Sequence, residues 1–563
     1  MSFLRLLAAV LVACVAAGAV WWYADRPVPV AAEWSQPLSS VSFAPFRRGE
    51  SPLTKVYPTP QEVEQDMASI VGRAKGIRTY TSREGLEVVP ALAEKYGIKL
   101  TLGIWLGSDR AINEQELAAG IKEANDHPDA VQRVIVGNEV LLRGDLPPEE
   151  LIGYIRRVKA AIHQPVSTAD VWAFVLKYPE VGRELDYITV HILPFWDDEP
   201  IGLDGVEDYT VKILDRVRQT FPGKPVLIGE TGWPSIGRDR GPAVVDVVHE
   251  ADFVRRMANL GERLGFDYNI VEEFDQPWKS ALENTVGAAW GVMEADRVNG
   301  KGVPKFAMTG PVTQVADWRI RAGWAITLGA IASLLFARSL PSFTAMLTFA
   351  AAAQFLSWLM VSSGFHSHEV TYRTWQYYWL ALRIGLPALL FLAILGQARD
   401  RLAGLPGRDA WHGRTWMALS AAYAVGWSLF LLFDGRYRDI PEFDFCLPVG
   451  GVLALAAINL MRGAGLRAAL SLDGLFPGGA PRFARWLGWA LVAGAILSCL
   501  SEAVALAGGR DFIAAHPSIP AQLPLLLKGL VWNREMDLWS AMQLLWALPF
   551  LLVRKPAKRQ APA

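Results

Sequence analysis

The chain has 563 residues, 52% of them hydrophobic and 20% charged, with a formal net charge of −1. It is too long for one ordinary core, and no basic arm or basic–aromatic interleaving marks a nucleic-acid binder. The three cysteines, Cys14, Cys446 and Cys499, all lie in or beside apolar stretches, so neither a disulfide framework nor a zinc-type cluster is expected in the polar part of the chain.

The first element is an apolar run over 4–23. Leu11-Val12-Ala13-Cys14 loosely resembles a lipoprotein cleavage box, but the run continues through Val15 to Tyr23, so residues 1–23 read as an uncleaved membrane anchor. Residues 24–316 hold most of the acidic residues and read as a soluble domain. Eight strand-like runs follow one another there, at 41–46, 76–82, 99–106, 131–140, 165–170, 187–196, 225–234 and 268–278. Helical stretches alternate with them. Thr59-Pro60-Gln61-Glu62, Ser82-Arg83-Glu84 and Pro147-Pro148-Glu149-Glu150 look like helix openings, and Leu151, Ile155, Val158 and Ile162 form an inward stripe. Eight alternating units without a glycine-rich phosphate loop after the first strand predict a (β/α)8 TIM barrel rather than an open sheet.

From 317 to 563 the chain predicts an α-helical multi-span transmembrane bundle of about seven spans: 323–338, 342–362, 376–396, 415–433, 446–461, 485–507 and 537–553. With Arg5 inside, the same side collects Arg338, then Arg399, Arg401, Arg408 and Arg414, then Arg462, Arg467, Arg482 and Arg485, then Arg554, Lys555, Lys558 and Arg559. The positive-inside bias therefore places both termini in the cytoplasm and the barrel outside it, on the periplasmic side of a bacterial inner membrane. Arg383 and Glu502 fall within two of these spans, and the sequence predicts that they approach each other.

Active sites of such barrels gather at the C-terminal strand ends. Two runs end there in an acid beside glycine: Val134-Ile135-Val136-Gly137-Asn138-Glu139 and Val226-Leu227-Ile228-Gly229-Glu230. About 90 residues separate them, close to three strand–helix units, which sets the acids across the barrel mouth. Paired carboxylates are what glycosidic cleavage needs, one to protonate the leaving oxygen and one to attack or to activate water. Around them the strand ends offer Tyr80, Trp105, Asn138, Asp170, His191, Phe195, Trp196, Trp233, Glu272, Trp278 and Lys279 as candidate substrate contacts. Aromatic faces that stack on pyranose rings, with amides and carboxylates for hydroxyls, suit a sugar chain better than a phosphorylated metabolite. No cofactor and no metal are expected. Each residue also has a structural reading: rim packing for the tryptophans, a turn for Asn138, and a supporting contact for His191.

The segments VGNEV around Glu139, IGETGWPS around Glu230 and VEEFDQPWK over 271–279, supported by IRTY at 77–80 and VSFAPF at 41–46, resemble glycoside hydrolase family 17, the β-1,3-glucanases and glucanosyltransferases. The resemblance covers roughly 38–310. It implies Glu139 as acid/base and Glu230 as nucleophile of a retaining double displacement, with carboxyls ~5–5.5 Å apart. Glu139 is then expected to have a raised pKa, from burial and the charge of Glu230. Asn138 is expected to bond the sugar 2-hydroxyl, and Glu272 to position Lys279 or bond substrate. Gln276 is a departure, since family members often carry an acid there. The joined membrane bundle resembles the bacterial membrane-bound branch linked to periplasmic β-(1,3)/(1,6)-glucan synthesis, which implies a β-glucan substrate, lipid contact, and a glucan synthase or exporter as partner. Hydrolysis competes with glucanosyl transfer on these motifs. A membrane synthase or exporter with the barrel as accessory, and a silent glucan-binding protein, are weaker alternatives: the inside acids Asp400, Asp409 and Asp473 form no close pair, and both glutamates are intact.

Overall fold

The computed structural model describes residues 2–405, 410–433, 437–477, 483–509, 512–513, 516–531 and 533–553. Arg408, Asp409, residues 434–436 of the outer loop, Arg482, Arg510, Asp511 and the charged tail Arg554, Lys555, Lys558 and Arg559 lie outside the described residues. The chain divides into two compact units, one of Pro27–Gln314 and one of Met1–Arg26 with Val315–Ala563.

The first unit is a closed, all-parallel barrel with strands in sequence order. They are β1 Ser40–Ser42, β2 Gly76–Arg78, β3 Lys99–Ile104, β4 Val131–Asn138, β5 Val166–Val171, β6 Ile188–His191, β7 Val226–Thr231 and β8 Asp267–Ile270. The strands are buried almost throughout, as expected of a parallel sheet covered by helices. All eight coincide with expected runs, and most end earlier, because the apolar residues beyond them form the loops of the barrel mouth. Thr59 makes the anticipated capping box with Glu62. Pro148–Ala161 buries Leu151, Tyr154, Ile155 and Val158. Ser82 does not open a helix: its hydroxyl donates to the Gly103 carbonyl, and the helix begins at Val89. Entry and exit of the unit pair with each other, Val28 and Val312 exchanging two backbone hydrogen bonds of 2.7 and 2.9 Å.

The second unit is helical. Among the described residues, six helices are long and apolar enough to cross a membrane: Phe3–Ala24, Trp318–Ser339, Phe343–Glu369, Gln376–Leu402, Glu442–Met461 and Ala484–Ala507. Two further expected spans form the helices Trp411–Phe430 and Arg534–Leu551 but fall short of that measure. His412 and Arg414 lie in the first turn of one, and Arg534, Glu535 and Asp537 in that of the other. Arg383 and Glu502 do not meet. Arg383 pairs with Asp444 at 2.5 Å and Glu502 with Arg438 at 2.9 Å. The helix holding Asp444 begins at Glu442, several residues before the expected span, so the acid moves from the loop into the bundle.

Candidate active site

Local backbone geometry at the end of β4 puts Glu139 in the barrel mouth. Gly137 has φ +82°, and Glu139 itself adopts the left-handed region at φ 51°, ψ 33°. A non-glycine residue there is strained by roughly 1–3 kcal/mol, and such outliers collect at functional sites. The strand bulges against β5 over the same residues. Two contacts hold the conformation. The Glu139 amide donates to the Ala169 carbonyl at 2.8 Å. Asp170 Oδ2 accepts the Leu141 and Leu142 amides at 3.0 and 3.3 Å, anchoring the short helix Val140–Arg143 that follows. Asp170 is thus a backbone anchor. Burial, then the negative charge of Glu139, pushes its carboxyl up to about 7.

Glu230, next to last in β7, lies beside His191 at the end of β6, with which it is in register. His191 is fully buried and stands between the two glutamates. Its Nδ1 lies 2.9 Å from Glu139 Oε1, and its Nε2 3.6 Å from Glu230 Oε1. Arg78, only 1% exposed, reaches in from β2. Its Nη1 donates to the Gly229 carbonyl at 2.6 Å and to Glu230 Oε1 at 3.3 Å, and its Nη2 donates to Asn138 Oδ1 at 2.5 Å. Room for the guanidinium comes from Gly229: a Cβ there would sit 2.4 Å from Thr189 Cγ2 and 3.2 Å from Arg78 Nη1. Arg78 Nη1 is also 3.3 Å from His191 Nε2. A guanidinium can only donate, so Nε2 accepts, and in the neutral ring Nδ1 carries the hydrogen and donates to Glu139.

One ligand atom from each of Glu139, His191 and Glu230 lies within 4.8 Å of the others. The three are spaced closely enough to hold a cation, but the Arg78 guanidinium already supplies positive charge to Glu230. Glu139 departs from expectation. Burial pushes its carboxyl up, yet the hydrogen bond from His191, then the charge of that ring when protonated, then the charges of Arg143 and Arg78 more than offset this, leaving it below the usual range. A cationic cluster behind the acid was not anticipated from the tryptophans in front of it.

The remaining candidates fall into distinct places. Glu272 is fully buried and accepts from Lys279 Nζ at 2.6 Å; burial pushes its carboxyl up to about 7 despite that ammonium. Tyr80 lies under the Arg78 guanidinium and bonds Ser42 Oγ at 2.8 Å. Half-buried Trp105, Trp196 and Trp278 retain exposed surface. Arg143 covers the Trp105 ring, and Trp196 stacks on Trp290. Gln276 is buried; its Oε1 accepts from Trp278 Nε1 at 2.8 Å, as an acid's could, while its Nε2 donates to the Ala44 and Phe274 carbonyls at 2.5 and 3.0 Å, which an ionised acid could not do. Phe195 and Trp233 are corrections. Both are fully buried, packed edge-on to each other, and leave no face for a sugar. Sequence reasoning missed two residues. Arg78 is the hub of the cluster, and half-buried Glu283 places a third acid in electrostatic reach of Lys279, Glu139 and Glu230.

Residues 40–291 match the BtgE/BtgC glycoside hydrolase domain family. The chain is 31% identical over 235 residues to a glucan 1,3-beta-glucosidase of Schizosaccharomyces pombe, covering 38% of this chain and 73% of that protein. It is 27% identical over 266 residues to a glucan 1,3-beta-glucosidase of Arthroderma benhamiae, covering 44% and 83%. It is also similar, at 26% identity and a TM-score of 0.41, to the crystal structure of a glycoside hydrolase family 17 β-1,3-glucanosyltransferase from Rhizomucor miehei, over 48% of this chain and 98% of that one.

Proposed function

Since the chain belongs to the BtgE/BtgC glycoside hydrolases, of the family 17 type, and is an enzyme of glycosidic bonds, we propose that it is a membrane-anchored, retaining enzyme acting on β-1,3-glucan, with Glu139 as acid/base and Glu230 as nucleophile. The observation that carries this reading is that one carboxylate oxygen of each glutamate lies within 4.8 Å of the other's. Oxygens that close favour the ~5–5.5 Å carboxyl separation of retaining enzymes over the ~6.5–9.5 Å that inversion needs for its water.

Glu230 attacks the anomeric carbon while Glu139 protonates the departing oxygen, giving a glycosyl-enzyme ester and a free leaving chain. Glu139, now ionised, takes the proton of an incoming hydroxyl, and the ester bond to Glu230 breaks. Arg78 orients Glu230, and His191 Nδ1–H steadies the Glu139 carboxylate in its ionised half of the cycle, in keeping with its lowered pKa. Glu139 must still be protonated for the first half, and a substrate that excludes water and brings Glu230 into play acts in that direction. Asn138 has its Oδ1 fixed by Arg78, which leaves its Nδ2 to donate to the sugar 2-hydroxyl.

The incoming hydroxyl comes from a second glucan chain, in β-(1,3)/(1,6)-glucan synthesis or remodelling. Supporting this is the apolar helical unit. Held in a bacterial inner membrane with both termini cytoplasmic and the barrel periplasmic, the enzyme would meet acceptor chains concentrated beside a glucan synthase or exporter. The test is product analysis by the full chain on laminari-oligosaccharides. Products longer than the donor, joined through new β-linkages and abolished by Glu230→Ala, are expected, with any sugar released to water appearing first as the β-anomer. Only shorter products would make it a hydrolase, as the curated relatives' names suggest for those proteins. A first-formed α-anomer, or unchanged turnover in Glu230→Ala, would overturn the mechanism.

A further inference from the structure

We propose that the helices Gln376–Leu402, Trp411–Phe430 and Glu442–Met461 enclose a binding site for one membrane lipid whose head group carries hydroxyls. The inference rests on the membrane placement proposed above and on nothing in the barrel. A cavity of about 600 Å³ lies between these helices, within the ~300–1,000 Å³ range of ligand pockets. Leu386, Trp416 and Pro448 line it, and its border includes Leu382, Leu389 and Leu419, which are 60%, 46% and 49% exposed, so it opens sideways to lipid.

One end of the cavity is polar. Arg383 and Asp444 pair there through a single carboxylate oxygen: Nε and Nη2 both donate to Oδ1, at 2.8 and 2.5 Å. Arg383 Nη1 and Asp444 Oδ2 make no hydrogen bond among the described residues, and the buried hydroxyl of Tyr423 has no partner either. The backbone adds to this. Pro387 and Pro448 sit inside their helices, and a helical proline removes the donor to the carbonyl four residues earlier. Those carbonyls belong to Arg383 and Asp444 themselves. The polar end therefore combines the free Arg383 Nη1 donor and the Tyr423 hydroxyl, which donates or accepts, with three acceptors that lack their usual donor, Asp444 Oδ2 and the two carbonyls. A head group bearing several hydroxyls, each both donor and acceptor, answers that set. A phosphate, which only accepts, answers the guanidinium alone.

The depth is right for a lipid. Arg383 lies seven residues into its helix, about 10 Å from its start, where Trp375 and Tyr378 are 58% and 79% exposed, as residues of an aromatic interfacial belt are. From Arg383 to Leu389 the cavity runs about 9 Å further along the helix. The head thus sits just below the interface, with an acyl chain beneath it.

The full-length chain, extracted in detergent and stripped of bound lipid, is titrated with monoglucosyl diacylglycerol, phosphatidylglycerol or phosphatidylcholine, whose quaternary head has no donor, and read by native mass spectrometry. One bound molecule of a hydroxyl-headed lipid is expected, at least about tenfold tighter than phosphatidylcholine, about 1.4 kcal/mol. The glucosyl and glycerol heads distinguish a glycolipid from a bulk phospholipid. Ser420→Trp, which fills the cavity, and the double change Arg383→Met with Asp444→Leu, which leaves no lone buried charge, should each abolish the preference. Monodisperse elution in detergent and an unchanged helical melting transition of the full chain report that either variant is folded. Equal binding of all three lipids, or a preference that survives in a folded variant, overturns the site. Membrane fractionation tests the placement separately: an integral membrane protein that binds no lipid sinks this proposal alone, and a protein absent from membranes sinks the placement.

Discussion

Arg78→Met should disable the barrel in two measurable ways. The guanidinium is 1% exposed and serves Gly229, Glu230, His191 and Asn138 at once. Methionine fills the volume and supplies none of these contacts. Glu230, with its side chain 11% exposed, loses its only ion-pair partner among the described residues other than His191. Removing one member of a buried ion pair costs about 3–5 kcal/mol, which for a barrel of this size lowers the melting temperature by on the order of 10 °C. Losing one preorganised donor at a reacting group costs roughly 10²–10³-fold in turnover. Differential scanning fluorimetry and kcat/KM on laminari-oligosaccharides read the two effects. Arg78→Lys keeps the charge but cannot fork to four acceptors, so it should fall between, with a smaller stability loss and a rate still at least about tenfold down. A methionine variant that melts within about 2 °C of the parent and keeps kcat/KM within about threefold would refute the role given to Arg78.

Three other outcomes follow from particular contacts. Gly137→Ala should destabilise the barrel by about 1–3 kcal/mol and lower kcat more than it raises KM, because a Cβ at φ +82° would lie 2.7 Å from Val140 Cγ2 and shift Glu139; unaltered kinetics would exclude this. Glu273 is buried, its Oε1 lacks a partner, and burial pushes its carboxyl up to about 8. The folded state therefore holds that proton more tightly than the unfolded chain, so stability is fully present below about pH 4 and is lost as pH rises towards 8. Glu273→Gln should then match the parent in chemical denaturation at pH 4 and exceed it at pH 9, by roughly 4–5 kcal/mol at most; equal stability at both pH values would contradict the assignment. Asp170→Asn puts an NH2, which cannot accept, in place of one of the two oxygens that take the Leu141, Leu142 and Val171 amides, so it should destabilise the barrel by about 1–3 kcal/mol and lower kcat by loosening the turn at Glu139. Unaltered stability and kcat would refute the anchoring role.

The sequence made the barrel legible because eight β-branched runs alternate with capped helices, and the strands fall where those runs begin. Their ends were not legible, since residues such as Phe195 are apolar for loop packing rather than for strand formation. Glu139 and Glu230 stood out by position, each beside a glycine at a strand end. Arg78 did not, although the signal was present: an arginine at the end of a three-residue buried strand must have partners inside the barrel. His191 was singled out for the sugar, but only the register of β6 on β7 shows it bridging the acids. Arg383 pairs with Asp444 rather than Glu502 because the helix starts before its apolar run, so an acid just outside the run's edge lies inside the bundle.

The paired strands at Val28 and Val312 have a practical corollary. The barrel is an insertion within the helical unit, entered and left through neighbouring threads. A single proteolytic nick in either thread leaves the catalytic body tied on by the other. Shedding it takes two cuts, and a design that excises 27–314 as a free-standing cassette inherits ends that already lie side by side.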